Sequence, residues 1–304
     1  MSIIRIGTRG SPLALAQAHE TRQRLMDAHG MGFDQFEIVT FTTTGDKIGD
    51  RPLSEIGGKG LFTKELEEAL HAGAIDVAVH SMKDMPAHLP SGLEIGAILP
   101  REDARDAFVS FAAPTLMALP QGAVLGSSSV RRTAQALRMR PDFNSVQFRG
   151  NVQTRLRKLQ DGVAAATFLA CAGLNRLGLS DKITCVMEMT DMLPAVAQGA
   201  IGIQFNAKSQ KTDTLLDALN HPESAAAVSC ERAFMAALEG SCRTPIAGHA
   251  VIEAGILKFR GEALTLDGKH CFTAERQGAM SDAIMLGRDA GDDIKKRGGA
   301  MIAY

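Results

Sequence analysis

The first half of the chain repeats one pattern: a short apolar run, a polar turn, then apolar residues recurring at helical spacing. Residues 3–7 predict a strand, followed by the turn Thr8-Arg9-Gly10-Ser11-Pro12. Ser11 suits an N-cap and Pro12 the first helical position, so a helix is expected to start there. Phe62, Leu66, Ala69 and Leu70 then recur on one face, with Lys64, Glu65, Glu67 and Glu68 on the other. Gly73 closes that helix, and 75–80 reads as a buried strand. The alternation continues with a strand at 123–126 and a helix carrying Val130, Ala134 and Leu137. Next come a strand at 145–148, a helix carrying Val152, Leu156 and Leu159, and strands at 164–169 and 201–205. Such alternation predicts mainly parallel sheets covered on both faces. A break at Leu99-Pro100-Arg101-Glu102-Asp103 suggests a boundary between two lobes.

After about residue 217 the pattern changes. A helix over 223–238 leads into Glu239-Gly240-Ser241-Cys242-Arg243-Thr244-Pro245. Three strand-like runs follow near 247–253, 256–264 and 270–275, with a hairpin turn at Asp267-Gly268, and a last helix covers 282–296. This predicts a small antiparallel sheet with helices, of α+β type.

Composition narrows the function. The chain has 304 residues, enough for two or three domains. Lys and Arg number 33 against 34 Asp and Glu, for a formal net charge of −1, which lacks the basic excess of a nucleic-acid binder. No stretch approaches the roughly 18 apolar residues that span a bilayer. The strand-like run beginning at residue 3 leaves no room for a signal peptide. Five cysteines in no paired spacing argue against a disulfide framework and for the cytoplasm. The eight histidines show no metal-ligand spacing, so no metal site is expected.

The positive charges are placed where open α/β sheets bind ligands, beyond the carboxyl ends of strands. Arg9 and Ser11 follow the first strand; Ser81, Lys83 and Asp84 follow 75–80. Ser127, Ser128, Ser129, Arg131 and Arg132 follow 123–126, and Arg149, Gly150 and Asn151 follow 145–148. Lys59 stands in a glycine turn just before a helix. Cations in the first turn of a helix oppose its dipole by about 0.3–1 kcal/mol each. Arg131 and Arg132 therefore make sense if an anion docks there. Gly57-Gly58-Lys59-Gly60 is not a phosphate loop, because Leu53 stands where the first glycine is needed and Gly60 where Ser or Thr is needed. An extended polyanion, such as a polycarboxylate gripped by arginine forks, fits better.

Asp84 is the only carboxylate in this strand-end set. From spacing alone it reads equally as a turn cap paired with Lys83 or as an acid poised near a developing positive charge. Cys242, in a Gly-Ser-Cys-Arg-Thr-Pro loop beside Arg243, is a candidate accessible thiolate. Cys171, Cys185, Cys230 and Cys271 read as small buried hydrophobes. The glycine-rich stretch 46–60 is expected to be a lid. A non-catalytic, two-lobed polyanion-binding protein would explain the arginines but would leave Cys242 without a role.

At these same residues the chain closely resembles the porphobilinogen deaminase family. The matching segments include Thr8-Arg9-Gly10-Ser11-Pro12-Leu13, Gly57-Gly58-Lys59-Gly60-Leu61-Phe62 and His80-Ser81-Met82-Lys83-Asp84. Further matches are Arg101-Glu102-Asp103-Ala104-Arg105-Asp106, Ser127-Ser128-Ser129-Val130-Arg131-Arg132, Phe148-Arg149-Gly150-Asn151 and Ala172-Gly173-Leu174-Asn175-Arg176, together with the cysteine loop. The resemblance implies two lobes like type II periplasmic binding proteins plus a small α+β C-terminal domain, divided as 1–99 with 195–216, 100–194 and 217–304. It implies a monomeric cytoplasmic transferase that joins four porphobilinogens, releasing ammonia, into hydroxymethylbilane for haem biosynthesis. The growing polypyrrole would extend a dipyrromethane cofactor held by a thioether at Cys242. By the same resemblance Asp84 is the catalytic acid. Lys83, Ser81, Ser129, Arg131 and Arg132 are cofactor contacts, and Arg9, Ser11, Lys59, Phe62, Arg149, Arg155 and Arg176 are substrate contacts. The chain departs from the family at Ser241, where Gly is common, and at Gln204, where Glu is common.

Overall fold

The structure, a computed structural model, describes residues 3–47, 60–240 and 244–302. Strand β1 (Ile4–Arg9) is followed by α1 (Pro12–His29), β2 (Phe36–Phe41), the short α2 (Thr44–Lys47), α3 (Lys64–His71), β3 (Val77–Ser81) and β4 (Leu93–Ile98). Helix α1 starts as its sequence demands. Ser11 Oγ accepts from the Ala14 N–H at 3.3 Å and Pro12 opens the first turn. Gly30 ends the helix in the left-handed region at φ 62°, its N–H donating to Met26 O.

The chain continues through β5 (Asp106–Ser110), β6 (Val124–Gly126), α4 (Val130–Met139), β7 (Asn144–Val146), α5 (Val152–Gln160), β8 (Ala166–Ala170), α6 (Cys171–Arg176) and β9 (Cys185–Val186). Then come β10 (Ile201–Asn206), α7 (Gln210–Asp217), α8 (Pro222–Ala237), β11 (Ile246–Glu253), β12 (Ile256–Leu264), β13 (Cys271–Ala279) and α9 (Ala283–Gly298). The described residues form two compact units: 3–47, 60–102 and 200–225 in the first, and 103–199, 226–240 and 244–302 in the second.

The first unit holds a five-stranded sheet in the order β2-β1-β3-β10-β4, and the second a five-stranded sheet in the order β7-β6-β8-β5-β9. The two orders are the same. In each, the strand second in the order (β1, β6) pairs in parallel with both its neighbours, and one antiparallel strand (β10, β5) stands between the third and the last. That inserted strand is the first one reached after the chain crosses between units, β5 after Glu102 and β10 after Gly199. The sheets are thus mainly parallel, as the alternation predicts. The one opposed strand in each arises because a crossing segment, not a strand–helix–strand connection, supplies it.

Both sheets are buried on two faces. In the first, Val77 and Val79 join Ile4, Ile6, Leu25, Leu99, Ile203 and Phe205 on one side, while Ala78 packs with Leu66, Leu70 and Leu93 on the other. In the second, Phe108 faces Leu125, Phe143 and Phe168, whereas Ala107 and Val109 face Phe148, Leu169 and Leu174. The period of two is that of a strand covered on both faces.

Strands β11, β12 and β13 form an antiparallel three-stranded sheet packed with α9, the small α+β element expected of the C-terminal region. Helix α9 passes very close to α8: a Cβ on Gly287 would lie 2.0 Å from the Cys230 carbonyl oxygen, so glycine is required there. Fully buried Glu231 of α8 accepts from Ala197 N at 2.5 Å and from Ala250 N at 2.7 Å, tying the segment before β10 to β11. No helix among the described residues is long and apolar enough to cross a membrane.

Candidate active site

In the first unit, β1 and β3 are parallel neighbours, so their carboxyl ends deliver Arg9 and the turn Met82–Asp84 to the same place. Arg9 Nη1 lies 3.7 Å from Asp84 Oδ2. The Arg9 guanidinium also sits over the Phe62 ring, 4.2 Å from its centroid. Ser81 exchanges hydrogen bonds with Gln17 of α1 (2.9 and 3.1 Å), and Ser11 is the N-cap of that helix. Lys83 stands in the turn next to Asp84. Arg9, Ser11, Phe62, Ser81, Lys83 and Asp84 therefore share one end of one sheet.

Asp84 is not the only carboxylate in the strand-end set. Asp46 of α2 holds the forked side of Arg9, with Nε to Oδ2 at 3.2 Å and Nη2 on Oδ1. Its Oδ2 also accepts from Thr43 N (3.2 Å) and Thr43 Oγ1 (2.7 Å). Burial opposes ionisation of Asp46, but Arg9 and Thr43 outweigh it and hold the carboxyl below the ordinary range. The signal in the sequence is Thr43-Thr44-Gly45-Asp46, the spacing of a capping box. That spacing says nothing of Arg9.

Behind this end of the sheet, His80 is buried and its Nε2 meets Gln204 Oε1 at 3.0 Å. Burial pushes the imidazole down to about 4, against the Gln204 hydrogen bond and with help from Arg9. A neutral amide therefore faces a neutral ring, so Gln204 suits the site without a second charge. Because the folded state refuses a proton that the unfolded chain accepts, His80 contributes fully above about pH 6.5 and loses its contribution as pH falls from there toward about 4. Thermal melts of the wild-type protein are expected to decline over that window, and those of His80→Gln to decline less. Equal slopes would count against this account.

In the second unit, Ser129 caps α4, its Oγ accepting from Arg132 N, and Arg131 and Arg132 follow in the first turn. The anion that faces them inside the fold is Asp106 of β5, which is fully buried. Arg131 Nη2 lies 2.8 Å from Asp106 Oδ2, and Arg132 Nη2 2.7 Å from Oδ1. Arg131 Nη1 donates to Leu193 O at 2.7 Å, Arg132 Nη1 to Phe168 O at 2.9 Å, and Gln198 Nε2 to Asp106 Oδ1 at 2.9 Å. Burial works against the Asp106 charge, but Arg131, Arg132 and Gln198 hold its carboxyl far below the ordinary range. Two guanidiniums against one carboxylate leave a net positive charge, and Arg131 Nε is buried with no hydrogen-bond partner among the described residues. Asp106 is the member of this cluster that strand-end reading missed. Its trace in the sequence is a charged residue opening the apolar run Asp106-Ala107-Phe108-Val109.

The other second-unit residues are carried separately. Arg149 follows β7 and its carbonyl accepts from Lys158 Nζ at 3.1 Å; Arg155 of α5 donates Nε to Gly150 O at 2.9 Å. Arg176 ends α6 and donates to Gly199 O at 3.1 Å. Lys59, most of the expected lid, Ser241 and Cys242 lie outside the described residues. Cys171 and Cys230 are buried, and burial pushes both thiols up to about 12. Cys185 is only half-buried but packs against the core around Phe108 and Phe168, whereas half-buried Cys271 corrects its reading as a core residue. The Cys271 sulfur sits 3.0 Å from Arg138 Nη1 and beside Glu262, so polar partners, not apolar packing, place it.

The sequence matches the family described as "Porphobilinogen deaminase, dipyromethane cofactor binding domain" over residues 4–214, and "Porphobilinogen deaminase, C-terminal domain" over 225–296. It is 58% identical over 294 residues to "Porphobilinogen deaminase" of Paracoccus denitrificans (strain Pd 1222), covering 97% of this chain and 94% of the relative. It is 52% identical over 294 residues to the protein of the same name from Nitrobacter winogradskyi (strain ATCC 25391 / DSM 10237 / CIP 104748 / NCIMB 11846 / Nb-255), covering 97% and 93%. Among solved structures it is distantly similar to the aliphatic sulphonate binding protein SsuA of Escherichia coli, with a TM-score of 0.42, 15% identity, and coverage of 79% of this chain and 71% of that one. With the family matched from one end of the described fold to the other and more than half of all aligned residues shared with a curated relative, the chain belongs to the porphobilinogen deaminase family.

Proposed function

We propose that this chain is a hydroxymethylbilane synthase that joins porphobilinogens stepwise, with Asp84 as the group acting at the reacting carbon. The observation that carries the assignment is the pairing of Arg9 with partly exposed Asp84 at the ends of β1 and β3. An anion-binding arm and an acid at one sheet end suit a substrate that bears carboxylates and develops positive charge as it reacts.

The residues present fit the family's dipyrromethane cofactor. The Asp106 node keeps a net positive charge and an unused buried donor at Arg131 Nε, as a group bearing carboxylates requires. Arg131, Arg132, Ser129, Lys83 and Ser81 would hold it, with Cys242 as its covalent anchor. When bound, it supplies the free pyrrole carbon that receives the first unit.

The chain's own residues do the rest. Arg9, Ser11, Lys59, Arg149, Arg155 and Arg176 bind the acetate and propionate groups of substrate and product, and Phe62 supports the Arg9 arm. Loss of ammonia from the substrate's aminomethyl carbon leaves a cation shared between that carbon and the ring nitrogen. Asp84 assists the departing amine, stabilises the cation and accepts from the pyrrole N–H. Attack by a free pyrrole carbon forms the new carbon–carbon bond and expels a ring proton, and water frees the completed tetrapyrrole. We further read the enzyme as a monomer that has no nucleic-acid partner, in keeping with its near-balanced charge, and is cytoplasmic, in keeping with the free thiols of the four described cysteines.

The test is the intact mass of the denatured protein beside Cys242→Ser. The wild-type chain is expected to carry the added mass of two linked pyrroles and the variant the bare chain. Wild-type protein with bare-chain mass that gains nothing on incubation with porphobilinogen would overturn the reading.

A further inference from the structure

Arg9 has three partners at once, and they are not equivalent. Asp46 takes the forked edge of the guanidinium, Nε and Nη2 together; Asp84 meets only Nη1, at 3.7 Å; Phe62 covers the face. The fork is the edge by which a guanidinium grips any carboxylate in bidentate fashion. Asp46 is presented to it by fully buried Thr43, through both the backbone N–H and the hydroxyl. The three side chains are still reachable by solvent, at 22% exposure for Arg9, 26% for Asp46 and 36% for Asp84, so a ligand carboxylate can arrive there. It would find the fork already filled.

We propose that Asp46 is a built-in stand-in for the substrate carboxylate, occupying the Arg9 fork in the free protein and exchanging with an acetate or propionate of the incoming pyrrole. This rests on the reading of Arg9 as a substrate arm given above. The exchange trades one charge-assisted pair for another, so the arm grips without holding tightly. It also gives Arg9 a partner other than Asp84 whenever the arm is empty, which keeps the acid from being drawn into a full ion pair. An enzyme that adds the same unit repeatedly must release each carboxylate before accepting the next, and an internal carboxylate that retakes the fork supplies that release.

The test is steady-state kinetics of the holoenzyme on porphobilinogen with Asp46→Asn, which keeps an acceptor for Thr43 and removes the charge. KM is expected to fall about two- to fivefold, the range of a partly exposed ion pair. Thr43→Val, which loosens the hold on Asp46 and leaves its charge in place, is expected to move KM the same way by less, and it carries the test if Asp46→Asn does not fold. A turn that merely came apart would raise KM, so the direction separates competition from damage. An unchanged or raised KM in the folded variants overturns the proposal while the functional reading stands. A wild-type enzyme that does not turn over porphobilinogen overturns both.

Discussion

Asp84→Ala is expected to lose turnover by about 10²–10⁴-fold, the range that a positioned acid–base group contributes. The carboxylate is the group at the end of β3 that can face a cation forming on the substrate, and Arg9 beside it adds positive charge, which only disfavours that cation. The loss should not come from unfolding. Asp84 is partly exposed and its pairing with Arg9 spans 3.7 Å, so an ion pair of this kind is worth about 1 kcal/mol at most. The variant should therefore melt within a few degrees of wild type, as expected for a change of that size. Asp84→Glu restores the charge but displaces it by one methylene, and should fall between the two. Ammonia release in single-turnover experiments measures the effect directly. A loss of less than about tenfold in a folded Asp84→Ala protein would sink the assignment and favour a protein that only binds polyanions.

The second large effect is on stability. Asp106→Asn keeps the shape of the side chain and removes the carboxylate that pairs with two buried guanidiniums. Breaking a buried pair by removing one partner costs about 3–5 kcal/mol, and here one carboxylate serves two partners. Urea unfolding at neutral pH is expected to show a loss in that range. The pH dependence has a definite sign. With the folded carboxyl held far below its ordinary value, the contribution is complete above about pH 3.9. It is lost as pH falls further, because the unfolded chain takes up a proton that Asp106 resists. Asp106→Asn should lack this part of the acid limb. If the variant unfolds at the wild-type urea midpoint, Asp106 does not hold the start of α4.

Much of this was legible in the sequence because its signals are local. Ser11-Pro12 at the start of α1, Gly73 after α3 and the Asp267-Gly268 turn each act within a few residues, and each element begins or ends there. The strand–helix alternation likewise gave the α/β lobes. Strand direction was not legible, since β5 and β10 look like any apolar strand and their opposition depends on where the chain enters the sheet. The same limit hid Asp46 and Asp106, whose partners lie 37, 25 and 26 residues away at Arg9, Arg131 and Arg132. A rule that looks for cations at strand ends sees the arginines and overlooks the acids that fold back onto them. Cys271 was misread for a related reason: its neighbours Arg138 and Glu262 come from other elements.

The matching strand orders have a consequence for how the chain is made. Among the described residues strand β4 is bonded only to β10, and β10 lies between it and β3, so the first sheet has a gap until residues 201–206 exist. Every strand of the second sheet lies between residues 106 and 186. On a ribosome that extends the chain from its N-terminus, the part synthesised first is therefore the part that must wait. The later lobe can close its sheet first, and the earlier one is completed when the returning strand is threaded into place.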